Sequence, residues 1–386
     1  MTRCARAAAT LAIAILATTG ASARSPVHTG IFPSGPVDGI TDVPGIRVGQ
    51  ITKIEGNGPL VPGRGPVRTG ATGIIENADP WNERPAAATF DLNGNGEMTG
   101  AHWIDESGFI EVPIVFTDTL DVGRADDGVV DWLIAHHPAI GVRDDVPLPV
   151  VAECDDQGMN DIQGRHVAAH DVVTLLDAAK GGDFARGGVG AGTGMRAFGF
   201  KAGIGSASRV LPAALGGYTV GVLLNANTGS RDELRVDGVA VGRRFARELL
   251  PIYPQRAGFS GRGRASDGSV VVSIATDAPL DALRLREIAK RAVLGLARTG
   301  ITSHVSSGDL FVAFSTTHVY PRDGIARPQP ALVSDDDRID ALFTATADAA
   351  ESAIYDALFS ARTMTGANGV TLFALPYARV APLLGR

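Results

Sequence analysis

The chain has 386 residues, 45% of them hydrophobic and 20% charged, which suits a globular protein with a large core and length for one big α/β domain or two. A formal charge of −7 argues against a nucleic-acid partner, which would need a basic face. Of the two cysteines, Cys4 falls in a leader and Cys154 stands alone, so neither an internal disulfide nor a multi-cysteine zinc site is expected. Cys154 reads as a buried structural thiol, with a nucleophile as the alternative.

In chain order, residues 1–23 read as an export signal. Arg3 and Arg6 precede an apolar stretch at 7–18, and Ala21-Ser22-Ala23 offers a small-residue cleavage site. The apolar run is too short for a membrane anchor. Periplasm is the expected compartment, with secretion the alternative. A weak strand is expected at 112–116, confined by Pro113 to a sheet edge or a strand start. A first helix is expected to follow Asn160 and Asp161 and run to Lys180, where Gly181-Gly182 stop it. His166 and His170 would lie four apart on it, but the third ligand and the Glu of a zincin are missing, so no metal is assigned. The run GGVGAGTGM at 187–195 lacks the Lys of a P-loop and a preceding strand, and reads as a structural turn lining a pocket rather than a dinucleotide site. NGNGEMTG at 93–100 reads as turns, with Glu97 either solvated or a pocket wall. Ser206 and Ser208 do not fit a nucleophile elbow.

Buried strands are expected at 218–224, 270–275 and 310–315. The stretch 228–268 is rich in Arg and Gly, and its later part reads as an exposed connection where a chain break is tolerated. A second helix is expected from Pro279 to Gly300, with Leu283, Leu285, Ile288, Ala292 and Leu296 on its apolar stripe. A third, at 339–360, carries Leu342, Ala349, Ala353 and Ala357.

Ser269 opens the run SVVVSIATDAPL at 269–280, directly after Gly268. Such a serine can attack its own preceding carbonyl, so that an N-to-O acyl shift followed by hydrolysis cuts the chain. The new terminus would carry both a hydroxyl and an α-amine with an ordinary pKa of roughly 7.7–8.0, which can serve as its base. Gly268 is expected to help by tolerating a strained backbone. Gly-Ser pairs are common, and an ordinary turn into a strand is the plain alternative.

Longer motifs decide between these. GITDVPGIRVGQ (39–50), LNGNGEMTG (92–100), GGVGAGTGMRAFGFKAGIGSASR (187–209), LLNANTG (223–229), DGSVVVSIATDAPL (267–280) and SSGDLFVAFST (306–316) occur in one order. The chain thereby resembles the self-processing aminopeptidases that include the DmpA-type L-aminopeptidase/D-amidase-esterase and the β-peptidyl aminopeptidases. The resemblance runs from about residue 39 to 376. It implies a four-layer αββα sandwich like that of N-terminal-nucleophile hydrolases, but with a different chain order. It implies cleavage between Gly268 and Ser269 into an alpha chain, 24–268, and a beta chain, 269–386, which stay associated as one domain and assemble as a tetramer of αβ units. Ser269 matches the nucleophile, Asn227 the oxyanion-hole amide (with Asn225 a competitor), and Ser307 and Asp309 a polar pair supporting the nucleophile and its amine. At the Asp309 position some family members carry Glu. Glu153 matches a carboxylate that holds the substrate's free amino group. No cofactor and no metal are implied.

The expected function is an exported serine aminopeptidase acting on small peptides, amides or esters with a free amine, through an acyl-enzyme. The Glu-Cys-Asp-Asp stretch looks closer to the β-peptidyl branch of that family, a resemblance that implies acceptance of β-amino-acid substrates. An acyltransferase on the same acyl-enzyme, or a non-catalytic exported binding protein, are the alternatives.

Overall fold

A computed structural model describes residues 25–254, 268–325, 327–329, 331–332 and 337–385. The expected leader and the tail of the Arg/Gly-rich connection, 255–267, lie outside the described residues. The main strands in chain order are β1 (Arg47–Glu55), β2 (Val67–Ile75), β3 (Glu83–Gly94), β4 (Ile114–Thr117), β5 (Val150–Glu153), β6 (Ile204–Val210), β7 (Thr219–Asn227), β8 (Ser269–Thr276) and β9 (Gly308–Pro321). The main helices are α1 (Val122–His136), α2 (Ala169–Asp177), α3 (Ala282–Arg298) and α4 (Asp337–Phe359).

Two sheets form the middle. One has the order β1-β2-β4-β5, the other β3-β9-β8-β7-β6. α1 and α2 cover the first sheet, while α3 and α4 pair and cover the second. The chain is therefore an αββα sandwich, as the motifs implied.

The second sheet is apolar on both faces, because both are covered. Along β8, Val270, Val272 and Ile274 face α3 and α4, whereas Val271 and Ala275 face the other sheet. Every residue of β8 is buried, and the strand is central, antiparallel to β7 and parallel to β9. Each buried Val or Ile side chain stabilises the assembly by about 1.5–3 kcal/mol. A break at the start of β8 would leave those contacts in place.

The helices depart from expectation in instructive ways. On α3 the buried stripe is Leu285, Ile288, Ala289, Ala292 and Leu296, while Leu283 is 65% exposed. Leu283 is two residues from Leu285, which puts it on a different face of a 3.6-residue helix. α4 buries Leu342, Ala349, Ala353 and Ala357, and its small residues let it lie close on β6. The expected helix 161–180 breaks into a single turn, Ile162–Gly164, and the shorter α2. Arg165 between them has φ 52°, so the helix cannot run through. His166 therefore lies before α2, bonded to Asp161 at 3.0 Å, and shares no helix face with His170.

Ile114–Thr117 begins just after Pro113 and runs between β2 and β5, so Pro113 sits at the strand start. The first half of the Arg/Gly-rich stretch is packed, with Leu234, Val236, Val241 and Phe245 in the core beside α3 and α4.

The glycine-rich turn at 187–195 is buried rather than open. Lys201 is fully buried beside it and donates from Nζ to the carbonyls of Gly192, Met195 and Ala202 at 3.0, 2.9 and 2.6 Å. Burial pushes its pKa down to about 7. This lysine fastens the turn through all three of its ammonium hydrogens.

Candidate active site

One end of the sandwich gathers four strand ends: the C-terminal ends of β5 and β7 and the N-terminal ends of β8 and β9. Antiparallel register sets Ser269 opposite Asn227, while Asn225 lies opposite Val271, two residues deeper. Ser269, Val271 and Ala275 share one face of β8, and the latter two lie in the core between the sheets. On the other side of β8, parallel pairing puts Val270 beside Asp309. Ser269 is 7% exposed, and its Oγ accepts a hydrogen bond from the Gly308 N–H at 3.2 Å. Strand register alone thus brings Ser269, Asn227 and the Ser307-Gly308-Asp309 turn together.

Asn227 is held in one orientation. Its Oδ1 accepts from the Arg196 N–H at 3.2 Å, and its Nδ2 donates to the Asp155 carbonyl at 2.8 Å. One amide hydrogen of the two goes to Asp155, leaving the other for a ligand. Arg196 follows the turn that Lys201 fastens, which gives the glycine-rich motif a part in placing this amide. By contrast, Asn225 is fully buried and donates to the Ala191 carbonyl at 3.2 Å.

The Ser307 hydroxyl donates to Asp309 Oδ1 at 2.8 Å. Burial raises the Asp309 pKa, opposed by the Ser303 and Ser307 hydroxyls, the Val270 N–H and the charge of His304. The 304–307 loop is tied to the end of β3 and the residue after it. Asn93 Nδ2 donates to the His304 carbonyl at 2.6 Å and Asn95 Nδ2 to the Ser306 carbonyl at 2.7 Å. A Cβ at Gly308 would lie 2.5 Å from the Asn95 carbonyl oxygen, so the Gly308 N–H reaches Ser269 only because residue 308 has no side chain.

Gly268 has a similar constraint. A Cβ there would lie 1.9 Å from the Asn227 carbonyl oxygen. Beyond the tolerance of strain expected of it, Gly268 supplies clearance against β7.

Glu153 ends β5 across the gap between the sheets. It is 3% exposed and held at both oxygens: Oε1 accepts from the Glu97 N–H at 3.2 Å, and Oε2 from the Thr119 hydroxyl. Burial raises its pKa, Thr119 and the Glu97 N–H oppose the rise, and the charges of Asp155 and Glu97 add to it. The added Cβ of Gly96 would lie 3.2 Å from Glu153 Oε1 and 3.3 Å from Gly308 Cα, so the carboxylate and the Ser269-binding turn flank one small space. Glu97 thus enters the site through its backbone. Cys154 is buried and points its thiol at the Asn225 carbonyl, 3.6 Å away, joining the sheets beneath the site; burial pushes its pKa up, so it is no nucleophile.

Sequence reading brought Ser269, Asn227, Ser307 and Asp309 to one place and Glu153 to its edge. It missed the Gly308 N–H, Gly96, Thr119, and the Arg196 and Asp155 backbone groups that aim Asn227. Only the Gly of Ser-Gly-Asp gave a local signal. Ser206 and Ser208 are buried and structural; Ser206 donates to the Val222 carbonyl and Ser208 to Asp42.

Comparison with known proteins places the whole chain. The model of peptidase family S58 matches residues 38–372. The β-peptidyl aminopeptidase BapA of Sphingosinicella xenopeptidilytica is 40% identical over 357 residues, 91% of this chain and 87% of its own. The PH0078 protein of Pyrococcus horikoshii OT3 superposes with a TM-score of 0.84 at 41% identity, covering 92% of this chain and 96% of its own. The L-aminopeptidase D-Ala-esterase/amidase of Ochrobactrum anthropi, described as a prototype of the serine aminopeptidases and a variant of the Ntn hydrolase fold, superposes with a TM-score of 0.82 at 35% identity, covering 93% of this chain and 96% of its own.

Proposed function

The chain belongs to peptidase family S58 and is a serine aminopeptidase; from that premise we propose that it cuts itself between Gly268 and Ser269 and works through the terminus so made. The observation that carries this is the register at the start of β8, which faces Ser269 with Asn227 and lays its Oγ on the Gly308 N–H.

In the uncut chain Ser269 Oγ adds to the Gly268 carbonyl carbon, the C–N bond breaks, and an ester and a free Ser269 amine result. Water hydrolyses the ester, leaving Gly268 as a carboxylate. The free α-amine then takes the proton from Ser269 Oγ as the oxygen attacks a substrate carbonyl. Asn227 donates its remaining amide hydrogen to the oxyanion. Ser307 and Asp309 hold the amine and the turn beneath it. The amine returns its proton to the leaving nitrogen, and water releases the acyl group. Glu153 takes the substrate's ammonium. The similarity to a β-peptidyl aminopeptidase supports β-amino-acid residues at that position. The same reading includes export by the leader, association of segments 24–268 and 269–386 after cleavage, and a tetramer of these pairs.

Gly268→Ala is expected to slow chain cleavage about tenfold or more, because the new methyl must displace β7. Timed electrophoresis of fresh protein reads this, and cleavage at the wild-type rate would refute the clearance argument.

The substrate assignment is tested with α-, β- and D-aminoacyl p-nitroanilides, each with its amine free or acetylated. Acetylation is expected to lower kcat/KM by about one to two orders of magnitude, since a hydrogen-bonded charge on Glu153 loses its partner. The advantage should shrink as pH falls through the Glu153 pKa, which burial has raised, because protonation removes the carboxylate. Equal turnover of free and acetylated substrates would remove Glu153 from this role.

A further inference from the structure

Glu153 does not orient itself. Its Oε2 accepts from the hydroxyl of Thr119, which is 34 residues away in sequence. Thr119 begins a single 3₁₀ turn, Thr119–Asp121, whose cap is Asp118. Asp118 Oδ1 accepts from the N–H groups of Leu120 and Asp121 at 3.0 and 3.2 Å, and its Oδ2 accepts from the Thr69 hydroxyl at 3.0 Å. Thr69 lies on β2 and Asp118 follows β4, neighbouring strands of one sheet. The turn is thereby fixed to the sheet that carries Glu153. The second oxygen of Glu153 is fixed separately, from the turn after β3, by the Glu97 N–H.

We propose that Thr119 is a positioning residue for substrate recognition: its hydroxyl, held by the Asp118-capped turn, aims the Glu153 carboxylate at the substrate's free amine. This rests on the role given to Glu153 above. The geometry explains why the hydroxyl matters more here than at an exposed site. A carboxylate anchored at one oxygen alone can rotate about its terminal torsion, which has a broad well. With both oxygens engaged from separate segments, the plane of the carboxylate is set beside the space at Gly96. The Thr119 bond also favours the ionised form. Opposing it are burial and the neighbouring acidic charges of Asp155 and Glu97.

Thr119→Val removes the hydroxyl and keeps the shape; Thr119→Ser keeps the hydroxyl. On a free β-aminoacyl p-nitroanilide, Thr119→Val is expected to raise KM about tenfold with kcat changed less than about twofold, the scale of one hydrogen bond to a charged group. The acid limb of kcat/KM should move to higher pH, and the acetylated substrate should be turned over as by the wild type. Thr119→Ser should restore KM and the acid limb. Should the Val variant fail to fold by thermal melting, Thr119→Ala set against Thr119→Ser gives the same contrast. Glu153→Gln is run alongside. If it abolishes the preference for a free amine while Thr119→Val behaves as wild type, the positioning role is overturned and Glu153 keeps its place. If Glu153→Gln leaves the preference intact, the reading of Glu153 fails and this inference with it.

Discussion

Ser269→Ala is expected to leave the chain whole and to lower turnover of every substrate by ~10⁶-fold, the scale seen when a serine nucleophile is removed. The two losses share one cause. The hydroxyl that attacks the Gly268 carbonyl is the hydroxyl that later attacks substrate, and the amine that would assist it never forms. The fold should survive, because Ser269 contributes one hydrogen bond from Gly308 while β8 is held by Val270, Val271, Val272 and Ile274. Electrophoresis and p-nitroanilide turnover on the same sample read both effects. Retained cleavage would move the nucleophile elsewhere.

Asn227→Ala should lower kcat by about 10²–10³-fold with a much smaller change in KM, as for other single oxyanion donors. The KM split separates this from a loss of shape. Truncation also frees the Asp155 carbonyl and the Arg196 N–H, so some loss of thermal stability is expected beside the kinetic effect. Asn225→Ala provides the contrast. It removes a buried bond to the Ala191 carbonyl beneath the site, and its main effect should be on stability. A fall in kcat at Asn225 and none at Asn227 would reverse the assignment.

How much of this was legible in the chain depends on where the information sits. β8 reads as a buried strand because both of its faces are covered, which leaves a mostly apolar run, Val270 to Ala275, interrupted only by Ser273. The nucleophile, the oxyanion amide and the supporting pair are legible for a related reason. They sit at the ends of adjacent strands, and family motifs mark each end. β1 and β2 were not legible, since RVGQITKIE and VRTGATGII mix Gly, Thr and charge. β2 is buried throughout while β1 is mostly half-buried or exposed, and what covers them is the glycine-rich turn and α2, contacts no local pattern records. The helix 161–180 was overextended because apolar spacing cannot report the left-handed Arg165. Thr119 left no trace at all. Its meaning arises only when β4 and β5 run side by side and bring residue 119 to Glu153.

The most direct test is the intact mass of the wild-type enzyme purified with activity, joined to N-terminal sequencing of the smaller piece. A smaller fragment beginning Ser-Val-Val-Val at residue 269 is the expected result. A fully active chain with the Gly268–Ser269 bond intact would contradict the account.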